Sequence, residues 1–339
     1  FIMNAKRGPD RQRQSEPAVK SPDPDFIGEV WFINDPAGFG AGEIRHLFRP
    51  TKERFVRGTW VCGCGDPACT LWERVKQRGE DNLYDSIFEL NPEVEFIVDA
   101  SKNIVWVDEQ SERLARKGYD VRHIMIWKTL PEFAHSLQKR NRLQDGAELG
   151  SWPRYHKLYY SFIDQWRAVK YGHYTHDQET TLRAACKQLE IPFFEGKERF
   201  WEKRHHVLGG NLSSRIHLYA KDSDKYQDVR RRAEGTRELG AAESHHRRVY
   251  YEEPNTAALQ EHITRLRREC PEIDQIEAML LAHDIAAPTP GRDWPELQLS
   301  DAEMRMRQLR QYTKDQFGRI RYALRGSRAR RPEPQQARN

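Results

Sequence analysis

The sequence predicts an α/β fold, a central parallel sheet with helices on both faces, followed by a C-terminal helical extension. Three observations carry this expectation. Short apolar runs ending in polar turns occur at Glu95–Asp99 and Val121–Trp127. Stretches with helical spacing follow each of them, and strand, helix, strand, helix at this interval is the pattern of parallel strands joined by crossover helices. Beyond residue 220 the pattern turns wholly helical, with Leu259, His262, Ile263 and Leu266 on one face. Leu309, Tyr312, Ile320 and Leu324 form part of another.

In chain order, Phe1-Ile2-Met3 is a short apolar run compatible with a buried strand, but the polar stretch from Gly8 to Pro17 that follows has no helical apolar face, so the segment reads as a loop. Residues 34 to 60 mix glycine and proline with aromatics and read as an irregular excursion. After the strand ending at Asp99, a helix is expected from 104 to 117, closed by Gly118 as a left-handed cap. Another is expected from about Pro131 to Arg142, with proline in its first turn. Tyr155, Leu158, Tyr159, Phe162, Trp166 and Val169 recur at helical intervals as a core-facing stripe, and a further helix spans roughly 177 to 189. The expected organisation is an α/β domain over 1–219 with an insertion at about 30–80, a helical extension over 220–325, and a basic tail over 326–339.

The chain has 339 residues, 37% hydrophobic and 32% charged, and net charge +5. No apolar run approaches the roughly 20 residues of a membrane span, so a soluble, cytoplasmic protein is expected. Residues 319 to 339 hold seven arginines against the single acid Glu333. With the run Arg230-Arg231-Arg232, this tail raises nucleic-acid binding as one reading, but no recognised reading module accompanies it. Five cysteines, an odd number, argue against a disulfide scaffold. Three of them, Cys62, Cys64 and Cys69, form a C-x-C-x₄-C cluster that needs a histidine to complete a zinc tetrahedron. The cluster lacks paired C-x-x-C spacing, and the expectation is that no metal is required.

Two pairs of residues suit anion binding. Ser101 and Lys102 stand in the turn between a strand and a helix N-terminus, where phosphate or sulfate is favoured. Lys128 ends the next strand and Ser136 follows eight residues later, a charge and a hydroxyl for a second phosphate.

Phe96 to Arg142 resembles the stretch of sulfotransferases dependent on 3′-phosphoadenosine-5′-phosphosulfate (PAPS), in which a strand ending in Asp-Ser-Ser-Lys leads to an Arg-Asp-Pro-Arg segment and a later serine. Asp99, Ser101 and Lys102 match the first part. Lys128 stands at the arginine, Thr129-Leu130-Pro131 replaces Asp-Pro-Arg, and Ser136 restores the match. Ile27-Gly28-Glu29 is similar to the Gly-Glu that carries the catalytic base, and the cysteine cluster with Trp72 to an insertion in bacterial relatives. Thr181-Leu182-Arg183 to Pro192-Phe193 looks like the family's late helix and turn. His205-His206-Val207-Leu208-Gly209-Gly210-Asn211 with Arg215 resembles its late His…Gly-Asn…Arg motif.

The resemblance implies a P-loop NTPase-like fold, PAPS as sulfuryl donor, and transfer by in-line displacement to a hydroxyl or amine of a small-molecule, carbohydrate or peptide acceptor. It implies Glu29 as base, with His205 as an alternative, and Lys102 as charge stabiliser. Lys6, Arg7, Gly8, Ser101, Lys128, Ser136, Asn211 and Arg215 would bind the nucleotide. At the first loop the family has Arg-Ser-Gly-Thr-Thr and this chain has Lys6-Arg7-Gly8-Pro9-Asp10. Proline removes an amide donor and aspartate adds repulsion. Either Lys6, Arg7 and Arg11 supply charge in another geometry, or the chain is an inactive relative serving as a binding scaffold. Acceptor identity and oligomeric state, a homo-oligomer included, stay open.

Overall fold

In the computed structural model the described residues are 2–7, 34–50, 62–64, 66–138, 143, 146–160, 162–163, 166–198, 203, 205–208 and 257–286, with separate helical positions between 302 and 320. They form an α/β structure. Its strands are β1 (Ile2–Arg7), β2 (Gly38–Gly42), β3 (Phe96–Asp99), β4 (Tyr119–Trp127) and β5 (Arg167–Lys170). The helices are α1 (Leu71–Gln77), α2 (Leu83–Leu90), α3 (Ile104–Arg116), α4 (Leu130–Gln138), α5 (Ser151–Tyr160), α6 (Tyr171–His176), α7 (Gln178–Leu189), α8 (Ala257–Glu269) and α9 (Ile273–Ala282).

The five strands make one sheet in the order β2-β3-β1-β4-β5. β2 and β3 are parallel, and so are β4 and β5. β1 lies between the two pairs and runs antiparallel to both neighbours. The sheet is therefore mixed rather than wholly parallel; the apolar run at Ile2-Met3 opens its central strand, which continues through Lys6 and Arg7 where the sequence predicts a loop, and the stretch from Gly8 to Pro17 lies outside the described residues. Pairing on both sides satisfies the amides and carbonyls of β1, so backbone hydrogen bonding overrides a sequence without strand alternation.

Strand β3 is buried along its whole length. Phe96 and Val98 enter one apolar cluster and Ile97 another, as the two-residue side-chain period requires. The first cluster joins β4, α4, α5 and α7; the second joins β2, α1, α2 and part of α3. Helix α3 begins at Asn103, whose side-chain oxygen accepts from Trp106 N at 2.8 Å, and the chain after it turns at Gly118 with φ +80°. These ends agree with the sequence expectation.

Three departures have physical causes. The helical stripe expected through Val169 stops at Tyr160, because 167–170 pairs with β4 as β5. The excursion at 34–60 contains β2, whose glycines hide a buried strand from any test of alternation. Leu259 and Ile263 of α8, with Ile273, Ile276 and Leu280 of α9, are buried in the same cluster as β4. Ala168 N also donates to His283 O at 2.8 Å, so these helices share the core of the α/β part. Leu309, Tyr312 and Ile320 are exposed rather than core-facing, while Leu324 and the basic tail lie outside the described residues. Among the described residues no helix is long and apolar enough to cross a membrane.

Candidate functional site

Because β2, β3, β4 and β5 all run the same way, their carboxyl ends share one edge of the sheet, where ligands of open α/β sheets bind. The residues after those ends are Glu43, Ala100 to Lys102, Lys128 and Tyr171. β3 and β4 flank β1, so at a strand spacing near 4.8 Å their ends stand roughly 10 Å apart.

Glu43 is delivered by a backbone device. The pairing of β2 shifts between Gly40 and Gly42, and Gly42 has φ +70°. A Cβ there would meet Val207 Cγ1 at 2.6 Å and Leu208 O at 2.9 Å, so only glycine fits. Glu43 N donates to Leu208 O at 2.8 Å. The Glu43 carboxylate is buried, with Oε1 3.2 Å from Lys102 Nζ and Oε2 3.2 Å from His46 Nε2.

The Asp99–Lys102 turn is held from beneath. The Asp99 carboxylate accepts from Ser101 N at 2.7 Å, Tyr84 OH at 2.9 Å and Trp106 Nε1 at 3.2 Å. Burial raises the Asp99 pKa, and the hydrogen bonds from Ser101, Trp106 and Tyr84 oppose that rise. Ser101 Oγ accepts from Arg45 N at 2.9 Å, which ties the turn to the short 3₁₀ helix after Glu43. Asp99 is thus a positioning residue, and Ser101 and Lys102 are the groups it presents.

On the other side of β1, Lys128 Nζ donates to Ser136 Oγ at 3.2 Å and lies 4.3 Å from the centroid of the Tyr171 ring. Its carbonyl accepts from Trp152 Nε1 at 2.8 Å. The pairing expected from the eight-residue spacing is therefore present. Thr129 and Glu132 form a capping box at the start of α4: Thr129 N donates to Glu132 Oε2 at 2.6 Å, and Glu132 N to Thr129 Oγ1 at 3.4 Å. Leu130 N donates to Glu277 Oε1 of α9 at 2.9 Å. Two carboxylates and a hydroxyl already satisfy these amides, so an anion here would rely on the Lys128 and Ser136 side chains.

Two further sequence candidates fall elsewhere. Lys6 pairs with Phe96 and Arg7 with Tyr119, at the starts of β3 and β4, so the antiparallel β1 carries both to the opposite end of the sheet from Ser101 and Lys128. His205 is buried on segment 205–208, which runs beside the end of β2 through the Gly42–Leu208 bridge. Glu29, Gly8, Asn211 and Arg215 lie outside the described residues.

Two residues take places that no local sequence pattern marks. Glu43 belongs to a second Gly-Glu dipeptide, directly after Gly38-Phe39-Gly40-Ala41-Gly42. His206 brings Nδ1 to 3.4 Å from Cys62 Sγ and 3.5 Å from Cys69 Sγ. Its separation from Cys69 by 137 residues gave no local signal. Burial pushes the Cys62 and Cys69 thiols up.

Fold and site together define an α/β protein with a charged cluster at the carboxyl edge of a mixed sheet. No protein-family model matches the chain, and no curated protein matches it either.

Proposed function

We propose that this carboxyl edge binds PAPS and transfers its sulfuryl group to a hydroxyl or amine acceptor. One observation carries the reading: two cationic clusters, Ser101 with Lys102 and Lys128 with Ser136, stand at the carboxyl ends of β3 and β4 on either side of β1, with a buried carboxylate beside the first. The separation of roughly 10 Å suits one nucleotide carrying phosphate groups at two positions.

In this reading Lys128 and Ser136 hold the 3′-phosphate, the lysine as a point charge rather than a bidentate fork. Lys102 stabilises charge building on the transferring group and the departing phosphate. Glu43, in the role the family resemblance gives to Glu29, takes the acceptor proton. The acceptor oxygen or nitrogen forms its bond to sulfur as the sulfur–oxygen bond to phosphate breaks, and adenosine 3′,5′-bisphosphate leaves. Positioning and charge supply the acceleration, as in phosphoryl transfer.

A second reading has its own observation. Lys6 and Arg7 sit at the far end of the sheet, which favours a relative that binds the nucleotide without transferring sulfate.

Thermal unfolding of the full chain with adenosine 3′,5′-bisphosphate tests the site. Protection is expected, and Lys128→Ala should weaken binding by about 10- to 150-fold, the value of one charge-assisted contact. Absence of protection at millimolar nucleotide sinks both readings. Protection without sulfate transfer from PAPS to any acceptor in a mixed panel selects the second.

A further inference from the structure

We propose that Cys62, Cys64, Cys69 and His206 bind one zinc ion in a closed structural site that staples segment 62–69 to segment 205–208. The four ligand atoms all lie within 4.8 Å of one another. A tetrahedron with Zn–S near 2.3 Å and Zn–N near 2.05 Å has nitrogen–sulfur edges of about 3.5 Å and sulfur–sulfur edges of about 3.8 Å. The His206 Nδ1 distances to Cys62 Sγ and Cys69 Sγ, 3.4 and 3.5 Å, are those edges.

The surroundings hold each ligand in place. Trp72 Nε1 donates to His206 O at 2.7 Å, and the Phe39 ring stacks on His206 with an interplanar angle of 3°. Gly63 N donates to Val207 O at 2.9 Å, and a Cβ on Gly63 would stand 2.8 Å from that oxygen, so the two segments touch through backbone. Asp66 shapes the approach to Cys69, accepting from Ala68 N at its carboxylate and from Cys69 N at its carbonyl. Cys62 and Cys64 are buried, and Cys69 and His206 are half-buried.

Donor chemistry selects the metal. Three sulfurs and an imidazole suit zinc and exclude magnesium and calcium, which take oxygen ligands. Four protein ligands fill the tetrahedron, leaving no position for water or substrate, so the role is structural. The consequence reaches the sheet edge: Leu208 N donates to Ala41 O at 2.9 Å and Glu43 N to Leu208 O at 2.8 Å. Zinc would thereby fix the strand segment against which Glu43 is placed. The proposal is independent of the nucleotide reading, because its test measures metal and not activity.

The full chain, expressed with zinc and freed of loosely bound metal by gel filtration, is analysed by mass spectrometry of its metal content. One zinc per chain is expected, falling several-fold in Cys64→Ser and His206→Ala and unchanged in Cys186→Ser, whose thiol lies in α7. Should the ligand variants fail to fold, wild-type protein stripped by chelator is titrated with cobalt(II). The visible absorption of tetrahedral, thiolate-bound cobalt should saturate at one equivalent and vanish on adding zinc. Wild-type protein with far less than stoichiometric zinc and no such cobalt spectrum overturns the proposal. So does zinc content that both ligand variants retain, or a disulfide joining two of the three cysteines.

Discussion

Removing Lys102 leaves the buried Glu43 carboxylate beside the His46 imidazole, 3.2 Å away. Side-chain exposures of 8% for Lys102 and 4% for Glu43 mean that water cannot take the place of the ammonium. Breaking a buried pair from one side costs about 3–5 kcal/mol, and the retained imidazole lowers the expectation for Lys102→Met to about 2–4 kcal/mol. Glu43→Gln alone leaves a buried ammonium and should cost a comparable amount. The double variant removes both charges, so its loss should fall short of the sum by about 1–3 kcal/mol. Urea unfolding of the four proteins at pH 7.5 measures that coupling, and unequal slopes would reveal any change in the unfolded state. If the two losses add to within about 0.5 kcal/mol, the pair is not coupled and the geometry of the edge is refuted. If the proposed sulfuryl transfer holds, the three variants should all fall far below wild type in sulfate transfer, the double variant included, because restored stability does not restore the carboxylate proposed as base.

Two further outcomes follow from buried groups. Tyr84→Phe removes one of the donors to the fully buried Asp99 carboxylate and should cost about 1.5–3 kcal/mol in urea unfolding; a loss below about 0.5 kcal/mol would show that Asp99 is neutral or differently held. His156 is buried in α5 against Trp152, and burial lowers its pKa from 6.5 to about 3. The unfolded chain therefore takes up a proton that the folded chain refuses between those values, and stability falls as pH drops, by at most about 1.4 kcal/mol per unit. His156→Gln should flatten the change in stability between pH 7 and pH 5 relative to wild type, and parallel profiles would contradict the burial argument.

The sequence determined local structure wherever the signal was local. β3, α3 with Gly118 at its end, and α7 all stand where apolar spacing and capping residues put them. The pairing of Lys128 with Ser136 was legible too, because eight residues separate them across one turn and one helix. Thr129-Leu130-Pro131-Glu132 even carried its capping box in plain sequence.

Tertiary structure decided whatever depended on a distant partner. β1 became a strand because β3 and β4 supply hydrogen bonds on either side, and its antiparallel direction put Lys6 and Arg7 at the wrong end to join Lys102. β2 became visible only once its glycines had a parallel neighbour, and with it came Glu43. His206 meets the three cysteines across 137 residues because segment 205–208 pairs with the end of β2. The physical reason is the same in each case: periodicity and capping act over a few residues, whereas strand direction and four-point metal geometry are fixed by contacts that chain distance does not encode.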